Sequence, residues 1–91
     1  MHIVSELKIK SAVESLEMAL DMIENGTHAQ RILVRIAMVR NEIAGLENGD
    51  RQERNIARHI DAAATLAGRC VTGHSRHISL YVALLGIHKL Y

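Results

Sequence analysis

The sequence predicts an all-α fold. The expected architecture is an up-down antiparallel bundle of three long helices plus a shorter, strongly apolar fourth, in one domain over residues 1–91. Three observations predict it. Apolar residues recur at spacings of three and four along most of the chain, the period of one helix face packed on another. There is no Pro, so nothing forces those helices to break. Two near-copies of one junction, IENGTHAQ and LENGDRQE, place a helix stop directly before a helix start. Connections that tight fold consecutive helices back on each other.

Helix 1 is expected over roughly residues 5–24. Its seam is Ile9, Val13, Leu16, Leu20 and Ile23, widened by Ala12 and Ala19. Glu6, Lys10, Glu14, Glu17 and Asp21 fall outside that stripe. Asn25-Gly26 ends the helix, because Gly26 accepts the left-handed cap conformation. Thr27 with Gln30 three residues on reads as a capping box that opens helix 2. The seam of helix 2 is Ala29, Ile32, Ile36, Val39, Ile43 and Leu46, and it runs to Glu47-Asn48-Gly49. Asp50 with Glu53 forms a second capping box and opens helix 3. There the seam is Ile56, Ile60, Ala63, Ala67 and Cys70, closed by Thr72-Gly73. Ser75 is the expected N-cap of helix 4, at about residues 76–90. Helices 1 to 3, at about 20 residues each, match in length at roughly 30 Å. Gly45, Gly68 and Gly86 fall inside helices, where they allow close crossing.

The centre of helix 4, ISLYVALLGI from Ile78 to Ile87, has no charge and no polar face. Its Ile, Tyr and Val would also suit a strand. A single strand has no partner in an otherwise helical chain, so a helix is expected. The segment is too short to cross a bilayer, which takes about 20 residues. No apolar leader is visible at the N-terminus, and no membrane partner is expected.

Equal helices, repeated Glu-Asn-Gly junctions, capping boxes and the lack of Pro make residues 5–72 resemble computationally designed helical bundles. The likeness is one of style and not of a sequence family. It implies no evolved activity and a purpose of defined oligomerisation. Asp50–Arg54, DRQER, is similar to the acidic-basic motif of the small all-helical chorismate mutases. That fold needs Arg in its first helix to hold a dicarboxylate. Helix 1 offers only Lys8 and Lys10, so no mutase activity is expected.

Composition narrows the function classes. The apolar set lacks Phe and Trp and has two Tyr, so the core is built from Leu, Ile, Val, Ala and Met. The formal net charge of +1 is too small to mark a dedicated nucleic-acid binder. It is unevenly spread: five Lys/Arg against seven Asp/Glu in residues 1–49, six against three in residues 50–91. One cysteine, Cys70, excludes an internal disulfide and fits a reducing, cytoplasmic setting.

The candidate site is an apolar surplus. Met18 and Met22 on helix 1, and Val34 and Met38 on helix 2, fall off the seams. With Tyr81, Leu84, Leu85 and Tyr91 of the helix 4 region they exceed what one small chain should expose. Two readings follow. Helix 4 covers the first four within the chain, or copies bury them between one another. The second is preferred: a structural homo-oligomer, closed and symmetric by default, with Arg31, Arg35 and Arg40 framing the contact. The alternative is a small adapter that binds nucleic acid or an acidic protein through Arg51, Arg54, Arg58 and Arg69. No aromatic residue interleaves that row, and Asp50, Glu53 and Asp61 are mixed into it, so a solvated face is expected. A weaker alternative is metal held by His74 and His77, three apart if both are helical. No metal and no cofactor is expected. His59 beside Ala62 and Ala63 is the only haem-type candidate. Cys70 lies on a seam, no nucleophile-base spacing stands out, and no enzymatic activity is expected.

Overall fold

The computed structural model describes residues 2–90. Their elements are α1 (Ile3–Glu24), α2 (Ala29–Glu42), a short 3-10 turn (Leu46–Asn48), α3 (Arg51–Val71) and α4 (His77–His88). No strand occurs among the described residues. α1 and α3 pack on each other, and both pack on α2 and on α4. α2 and α4 therefore flank a central α1/α3 pair on opposite sides.

The seams read from spacing carry the core, except that Ala29 is exposed and Ile23 and Cys70 are half-buried. Ile9, Val13 and Leu16 of α1, Val39 of α2, Ile56 and Ile60 of α3, and Leu80 and Ile87 of α4 are enclosed. Small side chains are buried on both members of the central pair: Ala12, Ser15 and Ala19 on α1, Ala63, Ala64 and Ala67 on α3.

The helix ends show which local signals won. α1 and α3 end alike. After α1, Gly26 takes φ 68° and the Thr27 N–H reaches the Met22 carbonyl at 2.9 Å. After α3, Gly73 takes φ 80° and the His74 N–H reaches the Arg69 carbonyl at 2.8 Å. Both are glycine-centred closures that satisfy the last carbonyls. The first one occupies Thr27, so Thr27 does not cap α2 as its spacing suggested. His28 does, with Nδ1 accepting from the Gln30 N–H at 3.3 Å.

α2 is also shorter than expected. It has 14 residues against 22 in α1 and 21 in α3, so the helices are not matched. Gly45 is not inside it: at φ 93° it turns the chain out of the helix. Leu46 still reaches the core from the 3-10 turn that follows.

The Asp50–Glu53 capping box is present. Asp50 Oδ1 accepts from the Glu53 N–H at 2.8 Å, and Glu53 Oε1 accepts from the Asp50 N–H at 3.1 Å. Glu53 is buried because its other oxygen receives the Ser5 hydroxyl of α1. Ser75 does not cap α4. Its hydroxyl accepts from Arg69 Nε at 3.1 Å, and Arg76 stands at the cap without a side-chain bond.

Candidate self-association surface

α4 turns Leu80, Leu84 and Ile87 inward and Ile78, Tyr81, Val82 and Leu85 outward. The inward three are spaced four and three apart, and so are Ile78, Val82 and Leu85 on the other side. Leu84, placed at an interface by its sequence setting, is 4% exposed and belongs to the core. Leu85 is exposed. Tyr91 lies outside the described residues.

The off-seam residues of α1 and α2 stay uncovered with α4 in place. Met18, Val34 and Met38 are exposed, and Val34 at 58% is as open as Val82 at 59% on α4. Met22 is half-buried and leans on the core. With Arg31, Val34 and Arg35 it lines a shallow depression between α1 and α2. Spacing had missed Leu33, Ile78 and Val82, and Ile3, Val4 and Leu7 at the start of α1, all of them exposed. Ile78, Val82 and Leu85 were detectable as a second stripe once Leu80, Leu84 and Ile87 were assigned inward.

Charge edges these apolar surfaces unequally. Glu17, Asp21 and Glu24 of α1 border a groove whose other wall is Tyr81, Leu84, Leu85 and His88 of α4. Glu17 is 3.7 Å from His88 Nε2. Arg31 and Arg35 lie beside Val34 on the opposite flank. Arg40 does not join them. It reaches α3, with Nε 3.3 Å from Asp61 Oδ1 and a terminal nitrogen 3.0 Å from Thr65 Oγ1.

The other candidates were placed as follows. Arg51, Arg54, Arg58 and Arg69 are all exposed on α3. Arg54 donates to the Gly49 carbonyl at 2.8 Å and Arg69 to Ser75. Asp61, the acid in the middle of the row, is held by Arg40. His74 lies in the turn before α4, with Nδ1 2.8 Å from Thr72 Oγ1. It is therefore not one helical step from His77, and the chelating spacing fails. No group of three or more His, Cys, Asp or Glu positioned to hold a metal ion occurs among the described residues. His59 is exposed with Nδ1 2.8 Å from the Asn55 carbonyl. The half-buried Cys70 thiol donates to the Arg76 carbonyl at 3.4 Å. Burial pushes its pKa up, which keeps it a thiol and a poor nucleophile at neutral pH.

No helix among the described residues is long and apolar enough to cross a membrane. No protein-family model, curated protein or solved structure matches the chain.

Proposed function

We propose that this chain is a structural, self-associating, non-catalytic protein, an up-down bundle whose copies shelter one another's apolar surface. The observation that carries this is the exposure of Met18, Val34 and Met38 on one flank and of Ile78, Tyr81, Val82 and Leu85 on the other. A monomer of this size has no use for two such stripes, and covering them gains roughly 25 cal/mol per Å² of apolar surface. The alternating helix course is supported by the Lys8–Ala44 contact at 3.2 Å, which joins the start of α1 to the end of α2. The Ser5–Glu53 bond likewise joins the starts of α1 and α3. Light scattering of the purified protein tests the reading. A mass of at least two copies is expected. A mass of 10.1 kDa at high micromolar concentration refutes it.

A second reading has one observation in its favour. Arg40 neutralises Asp61, which leaves Arg51, Arg54, Arg58 and Arg69 as a nearly uninterrupted cationic face on α3. On this reading the chain holds phosphate backbones, and heparin retention that falls steeply with salt distinguishes it.

A further inference from the structure

We infer that the contact between copies is heterologous: the outer face of α2 on one copy seats in the α1/α4 groove of the next. This rests on the self-association reading above and specifies which surfaces meet. The groove presents Tyr81 and Leu85 against Asp21 and Glu24. The α2 face presents Val34 and Met38 beside Arg31 and Arg35. None of these four charges has an ion-pair partner in its own chain among the described residues.

The two surfaces complete each other and do not complete themselves. In a two-fold contact centred on either surface alone, that surface meets itself. α2 against α2 brings arginines to arginines, and groove against groove brings carboxylates to carboxylates. Like charges across a contact are costly, whereas an acidic rim on a basic rim fixes register and speeds encounter. Arg forks onto carboxylates through paired N–H groups. The lengths also agree. α2 has 14 residues and α4 has 12, about 21 and 18 Å at about 1.5 Å per residue. Each copy carries one of each surface, so a contact made through one leaves the other for a further copy. The assembly then grows until it closes into a ring or continues as a filament.

Complementary blocking tests this. One variant, Val34→Glu with Arg31→Glu, loses the α2 face and keeps the groove. The other, Leu85→Lys with Asp21→Lys, loses the groove and keeps the α2 face. All four positions are exposed, and circular dichroism verifies that each variant stays helical. Each alone is expected at 10.1 kDa, and their equimolar mixture at twice that mass, as a capped pair. Variants that keep the wild-type mass when alone, or a wild type that stops at two copies, show a self-matching contact and overturn the inference. So does a mixture that stays monomeric. A wild-type chain that is itself monomeric in the same buffer overturns the self-association reading instead. Should a blocked variant fail to fold, the gentler charge exchange decides. Arg31→Glu and Asp21→Arg singly each weaken association several-fold, and the two together in one chain restore it. A double variant as weak as its worse single rejects the pairing.

Discussion

Leu84 faces the body of the bundle and Leu85 faces away from it, so truncating each reports a different energy. Leu84→Ala leaves a hole in a packed core and is expected to cost about 3 kcal/mol in urea unfolding. Leu85→Ala, measured where the chain is monomeric, is expected within about 0.5 kcal/mol of the parent. Its effect appears instead as weaker association. Gly45 makes a different demand. At φ 93° a side chain is strained although space exists, since an added Cβ meets only Lys8 Nζ at 3.7 Å. Gly45→Ala is expected to destabilise by about 1 kcal/mol or more, with unchanged helix content at low temperature. Cys70 offers a chemical readout. Its raised pKa predicts slower alkylation at pH 8 than an unstructured cysteine shows, and unfolding in urea is expected to erase the difference.

Among the elements, the start of α3 carries the clearest dependence on pH. The Glu53 N–H bonded to Asp50 holds that carboxyl below its ordinary 3.8. A depressed folded pKa stabilises the native state above the unfolded value, and the contribution fades as pH falls through the folded one. Asp50→Asn keeps the cap acceptor but cannot titrate. Its thermal midpoint is therefore expected to fall less than the parent's between pH 5 and pH 2, about the span in which a salt-bridged or capped Asp titrates. The seams of α1 and α3 were legible from sequence because Leu16 and Ile60 have polar neighbours that fix the phase of each helix. α2 was legible in its face and not in its length. Its stop lies at Gly45, and the stronger-looking Asn48-Gly49 pair only ends the 3-10 turn. α4 was legible as a helix and not in its orientation. A segment with no polar side gives no phase, so Leu84 and Leu85 were indistinguishable until α1 and α3 placed one of them inside. The candidate surface follows the same division. Met18 stood out beside Glu17 and Val34 beside Arg35, whereas Val82, between Tyr81 and Ala83, had no polar neighbour to stand out against.

Taken as a whole, the molecule has four unlike sides. α2 and α4 present apolar stripes on opposite flanks, α1 presents Asp21 and Glu24, and α3 presents its arginine row. Exposed rim charges act over about 10 Å at 0.1 M salt. Raising salt is therefore expected to slow association of the copies while leaving dissociation nearly unchanged, as stopped-flow mixing would show. The placement of α4 has a consequence for how the molecule breathes. This helix grips the rest through Leu80, Leu84 and Ile87 alone among its buried residues, while α1, α2 and α3 also pack directly on one another. With three buried residues against seven each in α1 and α3, and lying at the end of the described chain, it is expected to open sub-globally before α3 does. Its backbone amides should then trade their hydrogens for deuterium ahead of those in α3. A neighbour seated on its outer edge pins it by mass action. The exchange of α4 should accordingly slow as the protein is concentrated, while that of α3 holds steady.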